Sequence, residues 1–188
     1  MLEFIFSPIG ILIFLNVFIY FLPNFYHFGK KSFSSREEFL TLGWKNNSDI
    51  KSGEYYRLVT AMFLHVDGFH LFSNMWALFV LGAGLNGFPL LFLGVYFLGG
   101  IVGNLFSFFF NKNPSVGASS PIMGLVGFIL IISLISGDYA SLVNLGLYTI
   151  VGFVLAGMPG SRIDFYGHLG GLAGGGAIAL CLSPFLFN

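Results

Sequence analysis

Three short stretches of this apolar sequence contain the residue types of hydrolytic chemistry. His70 lies four residues before Asn74, Ser119 begins a Ser-Ser-Pro sequence, and His168 lies among glycines. A serine hydroxyl becomes a nucleophile when a histidine removes its proton. Ser119 and His168 are therefore the candidate nucleophile and general base. No carboxylate in the sequence is placed to orient His168, which favours a Ser–His dyad over a triad.

His70 and Asn74 are candidate donors to an oxyanion. Residues four apart share one face of a helix, so both side chains can donate hydrogen bonds to the same oxygen. The Ser119 amide, unpaired in the first turn of a helix, is a third donor and is favoured by the helix dipole. Removing one donor of this kind raises a reaction barrier by about 3 kcal/mol. The predicted oxyanion site consists of His70, Asn74 and the Ser119 amide.

The composition indicates what must position these residues. Of the 188 residues, 56% are hydrophobic and 9% are charged, whereas about 25% are charged in a soluble domain. Ten of the charges lie between Pro23 and Leu58, and only four follow Gly68. We therefore predict an integral membrane protein surrounded by the lipid bilayer. The eight basic and eight acidic residues form no basic stripe, which argues against a nucleic-acid partner.

About 20 apolar residues cross the hydrocarbon core as a helix, because the backbone must satisfy its own hydrogen bonds there. Six candidate spans are bounded by Gly, Pro, Asn or charged residues: 4–22, 69–85, 88–110, 118–136, 140–157 and 166–186. The predicted fold class is all-α, a single six-helix polytopic membrane domain over residues 1–188 with a long first loop, 23–66. The first span lacks a basic leader and a small-residue cleavage site, so we expect a retained helix rather than a signal peptide.

The order of the spans predicts that the candidate residues converge. In an up-and-down bundle the second, fourth and sixth helices begin at the same membrane face. His70, Ser119 and His168 lie near the starts of these spans, and the intervals between them are both 49 residues. We therefore expect the three side chains at similar depth.

A stripe of small residues predicts which spans touch. Gly167, Gly171 and Gly175 recur every four residues in the sixth span, and Ser120 and Gly124 have the same spacing in the fourth. Small residues at this spacing let two membrane helices approach closely. Close contact between the fourth and sixth spans would bring the imidazole of the candidate base to the candidate serine.

The first loop contains a predicted interfacial helix. The spacing from Ser34 to Glu37 is that of a capping box before the apolar Phe39. We expect a short amphipathic helix at the membrane surface. Further aromatic anchors at this surface are Trp44, Tyr55 and Tyr56.

Taken in order, the motifs resemble those of the rhomboid intramembrane serine proteases. These motifs are HxxxN in one span, GxSx at the start of a later one and HxxGG in the last. The lead-in from Gly53 to His65 is also similar, and the match covers about two-thirds of the chain, roughly residues 53–176. The set is far more specific than GxSx alone.

The resemblance implies both a site and a function. Ser119 would be the nucleophile, His168 its general base, and His65 a structural loop histidine, while Asp164 matches a residue that many members share. The donors named above would form the oxyanion site. Members of the family cleave transmembrane helices of other proteins, so the implied partners are transmembrane protein substrates and the bilayer. No cofactor and no metal are implied, and we expect a location in the plasma membrane.

Four positions depart from the family pattern. Ser120 stands where the family has a second glycine, and Pro121 after it is compatible with a first helical turn. Met123 stands where an aromatic residue usually braces the histidine, and Tyr56 where a tryptophan precedes arginine. The turn after the second span, which often contains a glutamate in the family, reads Leu85-Asn86-Gly87. None of these changes removes a reacting atom, but Met123 bears on the orientation of the histidine.

Two other functions stay open. The departures motivate a non-catalytic rhomboid-like protein that binds transmembrane helices, although relatives of that kind usually lack the serine or the histidine. A transporter or metal channel would use His65, His70 and His168, although three histidines without thiolates or buried carboxylates form a poor ligand set. Taken singly, Ser119 also fits a helix N-cap.

The basic residues give conflicting predictions of topology. All eight Lys and Arg lie in the first, third and fifth loops, which the positive-inside rule assigns to the cytoplasm. The family resemblance implies that these loops lie outside and both termini inside. We follow the family, because the mixed charge of these loops weakens the rule.

Overall fold

The structure, a computed structural model, describes residues 6–25, 35–158 and 163–186. Within these ranges the secondary structure consists of nine α-helices, one 3₁₀ turn and an isolated β-bridge. The helices are α1 (Pro8–Phe25), α2 (Arg36–Thr41), α3 (Asn47–Lys51), α4 (Arg57–Thr60), α5 (Gly68–Ala83), α6 (Pro89–Phe110), α7 (Ser119–Ser136), α8 (Tyr139–Gly157) and α9 (Phe165–Leu186), and the 3₁₀ turn is Ala61–Phe63. The predicted all-α class is confirmed.

Six helices coincide with the six predicted spans, and their ends differ from the predicted ends by at most four residues. These helices are α1, α5, α6, α7, α8 and α9. Residues 4 and 5 of the first predicted span lie outside the described ranges. Three of these helices, α6, α7 and α9, are long and apolar enough to cross a membrane, and the other three contain shorter apolar stretches. The chain is an integral membrane protein, and the count of six crossings stays a prediction.

Contacts between residues divide the chain into two compact units. The first unit comprises Met1–Leu93 and Lys112–Ala118, and the second comprises Gly94–Asn111 and Ser119–Asn188. The prediction of one domain over the whole chain stays a prediction.

In the first unit, α1 packs against α5. The close approach occurs at Gly82, where a methyl group would lie 2.9 Å from Cγ1 of Ile9, so only glycine fits without a shift. Both helices also have buried apolar side chains, with Leu12 of α1 at 3% and Leu78 of α5 at 0% exposed. Arg36 stacks on Tyr20, 3.8 Å from the ring centroid, and donates to the Tyr20 carbonyl at 3.1 Å. This contact joins the end of α1 to α2.

The predicted short helix of the first loop is present as α2. Its cap is Ser35, whose hydroxyl accepts a hydrogen bond from the Glu38 amide at 3.2 Å. Ser34, the predicted cap, lies outside the described residues. Phe39 and Leu40 form a buried cluster with Leu64, so the apolar face of α2 is covered by the protein itself.

Arg57 closes the first loop on itself. Its guanidinium is paired with Glu54 at 2.6 Å and with Asp49 at 3.3 Å. It also donates to the Thr41 carbonyl at 2.8 Å and to the Trp44 carbonyl at 3.3 Å. Because one buried side chain satisfies groups from four parts of the loop, the loop has a defined shape.

In the second unit, glycines bring three helices into backbone contact. A methyl group at Gly175 of α9 would overlap the carbonyl oxygen of Gly124 in α7, and a methyl group at Gly99 of α6 would lie 2.9 Å from Cα of the same Gly124. A methyl group at Gly103 of α6 would lie 2.6 Å from the Gly167 carbonyl oxygen. The predicted close contact between the fourth and sixth spans is confirmed, and α6 joins it.

Candidate active site

One group of predicted site residues lies at the start of α5, in the first unit. Asp67 caps this helix, and its carboxylate accepts a hydrogen bond from the His70 amide at 2.8 Å. This cap fixes the first turn, so His70 and Asn74 lie one turn apart on the same face. The rings of His65 and His70 meet edge to face, with centroids 5.0 Å apart.

His65 is the innermost member of this group. Its side chain is 1% exposed. Burial away from water, reinforced by the neighbouring His70, lowers the His65 pKa from 6.5 to about 3. The ring is therefore neutral at physiological pH, and its Nε2 atom accepts a hydrogen bond from the Asn74 amide nitrogen at 3.0 Å. The residue that the family resemblance assigned to structure thus holds a candidate oxyanion donor in place.

Gly117 brings the backbone up to these side chains. It has a φ of +126°, and its amide donates to the Ala61 carbonyl at 2.9 Å. A methyl group at Gly117 would lie 2.7 Å from Nε2 of His70 and 3.4 Å from Nδ2 of Asn74. Both the conformation and the space therefore require glycine. The segment that leads into Ser119 lies directly against the two predicted oxyanion donors.

The other predicted site residues lie in the second unit. Ser119 is the first residue of α7, and His168 lies in the first turn of α9; both are partly buried. The two helix starts touch: a methyl group at Gly167 would lie 2.8 Å from the Ser120 hydroxyl, and one at Gly171 would overlap the Ser120 carbonyl oxygen. Since Gly167 and Gly171 flank His168, the turn with the histidine lies beside the turn with the serine.

Asp164 anchors the helix that carries His168. Its carboxylate accepts from the Gly167 amide at 3.1 Å, and its carbonyl accepts from the His168 amide at 3.0 Å. The Ser107 hydroxyl of α6 donates to the same carboxylate. The sequence offered no sign of Ser107, because a lone serine in an apolar helix is common and its partner lies 57 residues away.

Phe153 of α8 packs against the imidazole of His168. The ring centroids are 6.4 Å apart and the planes meet at 80°, within the range of edge-to-face aromatic contacts. Met123, which stands at the position of the usual aromatic brace, is 3% exposed. Its Cβ atom lies 3.2 Å from the position of a methyl group at Gly171, so Met123 packs against the backbone of α9. Sequence reasoning missed Phe153, one of 25 phenylalanines.

The chemistry available to these groups is that of a hydroxyl, an imidazole and hydrogen-bond donors. The amide of Ser119, at the first position of α7, has no acceptor in its own helix. Among the described residues, no group of three or more His, Cys, Asp or Glu side chains could hold a metal ion. Hydrogen-bond donors of these kinds can stabilise an oxyanion.

The sequence is similar to proteins of the rhomboid family. The sequence matches the family described as Rhomboid domain over residues 52–185. It is 37% identical over 147 residues to Rhomboid protease GluP of Bacillus subtilis (strain 168), covering 76% of this chain and 29% of that protein. It is 35% identical over 141 residues to Rhomboid-like protease 1 of Toxoplasma gondii, covering 70% and 48% of the two chains.

A third relative is described as inactive. The chain is 30% identical over 148 residues to Inactive RHOMBOID-like protein 8 of Arabidopsis thaliana, covering 74% of this chain and 41% of that protein. The chain thus spans less than half of the length of each of these three relatives.

Proposed function

The chain belongs to the rhomboid family, and we propose that it is a serine endopeptidase that cleaves transmembrane helices of other proteins within the bilayer. One observation carries the proposal: the start of α7, with Ser119, touches the two glycines that flank His168 in α9. A hydroxyl and an imidazole on adjacent helix starts are the two groups that a dyad needs.

In the proposed reaction, the Ser119 Oγ atom attacks the scissile carbonyl carbon while His168 accepts the hydroxyl proton. His168 then gives this proton to the leaving amide nitrogen, the C–N bond breaks, and an ester to Ser119 remains. Water attacks the ester with His168 again as the base, and the ester bond breaks to release the carboxylate product and restore the hydroxyl.

The oxygen of the attacked carbonyl group becomes negative in each attack. We propose that it accepts hydrogen bonds from His70, Asn74 and the Ser119 amide. The contact between His65 and Asn74 supports this role. An asparagine amide has two N–H donors, and the neutral His65 ring accepts one of them at 3.0 Å. The amide orientation is thereby fixed while the second donor stays available to the substrate.

The partners follow from the same proposal. The substrates would be membrane proteins whose transmembrane helices enter the bilayer beside this chain, and the chemistry requires no cofactor. A location in the plasma membrane stays a prediction, because similar proteins include one described as mitochondrial and one as chloroplastic. The orientation with the basic loops outside the cytoplasm also stays a prediction.

A fluorophosphonate probe tests the nucleophile without knowledge of the substrate, since it forms a stable bond to an activated serine with loss of fluoride. We expect labelling of the purified protein in detergent and cleavage of a transmembrane reporter. Ser119→Ala and His168→Ala should abolish both. Ser136→Ala, at the exposed end of the same α7 helix, is the matched control and should retain both. Cleavage that persists in Ser119→Ala would refute the assignment.

The alternative function is a rhomboid-like protein that binds transmembrane helices with little or no cleavage. Met123 in place of the aromatic brace favours it, as does the similarity to a protein described as inactive. This alternative predicts binding of a transmembrane peptide by a wild-type protein that the probe does not label.

A further inference from the structure

The segment that leads into Ser119 is held by a lysine from the first loop. The backbone of Lys45 pairs with that of Ser115 in both directions, at 2.9 and 3.0 Å, as the isolated β-bridge. Its ammonium group donates to the Asn113 carbonyl at 2.9 Å and to the Asn47 side-chain oxygen at 3.1 Å. One residue thus makes three hydrogen bonds to two positions of residues 112–118, which connect α6 to α7.

Lys45 is 0% exposed, which is exceptional for a lysine. The other lysines that the structure describes, Lys51 and Lys112, are exposed. Burying an ammonium group is strongly unfavourable unless oxygen atoms replace its water. The two oxygens at 2.9 and 3.1 Å do this, and because one of them is a main-chain carbonyl, the ammonium fixes backbone rather than a side chain.

The held backbone continues into the candidate site within the same unit. Two residues after Ser115, the Gly117 amide donates to the Ala61 carbonyl at 2.9 Å. At this point Gly117 lies against His70, with no room for a methyl group. A shift of residues 113–115 would therefore move Gly117 relative to His70.

We propose that Lys45 is a positioning residue that holds the 112–118 segment, and through it Gly117, against the candidate oxyanion donor His70. This inference rests on the proposed function. A displacement on the order of 1 Å in such a site lowers the rate by about 100-fold. The ammonium itself takes no part in the reaction.

The test measures fluorophosphonate labelling of the full chain in detergent, as a second-order rate constant and as a final labelled fraction. Lys45→Met keeps the length of the side chain and removes the charge. We expect the rate constant to fall by about 10-fold to 100-fold while the final fraction stays at the wild-type level. Lys112→Met, an exposed lysine of the same segment, is the matched control and should label at the wild-type rate. A lower final fraction with an unchanged rate constant indicates a merely structural role and overturns the proposal.

Hydrogen exchange provides a readout that does not depend on activity. In Lys45→Met the amides of Ser115 and Gly117, which donate to the carbonyls of Lys45 and Ala61, should exchange faster, while those of α1 remain protected as in the wild type. Unchanged exchange of the segment contradicts the anchoring. If Lys45→Met does not fold, Asn47→Ala replaces it. This variant removes the acceptor at 3.1 Å from the ammonium group and should slow labelling by a smaller factor. A wild-type rate overturns the proposal. A wild-type protein that is not labelled refutes the proposed function, whereas faster exchange in Lys45→Met would still support the anchoring.

Discussion

The Nε2 atom of His65 lies 3.0 Å from the side-chain amide nitrogen of Asn74. The contact requires a neutral imidazole, because a protonated ring has no acceptor for the amide. The Arg36 guanidinium donates to the His65 carbonyl at 3.5 Å, and the His65 ring meets the ring of His70 edge to face. The orientation of a candidate oxyanion donor is thus linked to the protonation state of a loop histidine.

We expect His65 to make the protein less stable as the pH falls below 6.5. The His65 pKa is about 3 in the folded protein, below the usual 6.5. The unfolded chain therefore binds a proton from pH 6.5 downward, whereas the folded chain binds it only near pH 3. The stabilisation is complete above pH 6.5 and is lost by about 1.4 kcal/mol per pH unit between these values.

Thermal unfolding in detergent at pH 7.5, 6.0 and 5.0 measures this effect. His65→Gln is the control, because glutamine keeps an acceptor for Asn74 and does not titrate. The difference in Tm between wild type and His65→Gln should shrink as the pH falls, which separates His65 from the other histidines. A difference that stays constant from pH 7.5 to 5.0 contradicts the prediction.

The helices were predictable from the sequence because a bilayer requires long apolar segments with internal hydrogen bonds. The contact of α7 with α9 was predictable for a related reason, since only small residues allow backbones to touch at Gly124 and Gly175. The predicted cap of α2 differs by one residue: the capping-box spacing indicated Ser34, whereas the α2 cap in the described residues is Ser35.

The supports of the site were not predictable. A lysine in a loop of mixed charge is normally solvated, so nothing in the sequence marked Lys45 as buried. Ser107 and Phe153 are common residue types for apolar helices, and their partners Asp164 and His168 are distant or on another helix. Motif spacing suggests candidate reacting groups, but the residues that pack against them depend on tertiary packing.

Gly117→Ala should impair the site more than the fold. The substitution adds a methyl group 2.7 Å from His70 Nε2 at a residue with φ of +126°. Gly53→Ala is the matched control, because Gly53 has φ of +106° and nothing within 4 Å of the added methyl group. Both variants bear the backbone strain, about 1–2 kcal/mol, and only the first displaces His70, a candidate oxyanion donor. We expect fluorophosphonate labelling to be about 10-fold slower in Gly117→Ala and to keep the wild-type rate in Gly53→Ala. Equal labelling rates in the two variants would show that the clash with His70 does not slow labelling.

Gly175→Ala should destabilise the second unit. The new methyl group overlaps the Gly124 carbonyl oxygen of α7, whereas at the adjacent Gly176 the nearest atom is Cγ1 of Ile131 at 3.4 Å. Both substitutions gain the same helix propensity, so the difference between them reports packing. We expect Gly175→Ala to lower the free energy of unfolding by about 1–3 kcal/mol and Gly176→Ala to leave it unchanged or raise it. Denaturant titration in detergent measures both, and similar stabilities would contradict the backbone contact.

Phe153→Leu should slow catalysis without weakening substrate binding. The ring of Phe153 meets His168 edge to face with centroids 6.4 Å apart, and such a contact contributes about 0.5–1.5 kcal/mol. Leucine keeps an apolar side chain but removes the ring, so the imidazole loses a contact that restrains its orientation. We expect kcat for a transmembrane reporter to fall by about twofold to tenfold with KM unchanged, whereas Val154→Ala, at the exposed neighbouring position, leaves both constants unchanged. A rise in KM alone would instead assign Phe153 to substrate binding. His168 would then have no aromatic brace from Phe153, and Met123 has no ring to provide one.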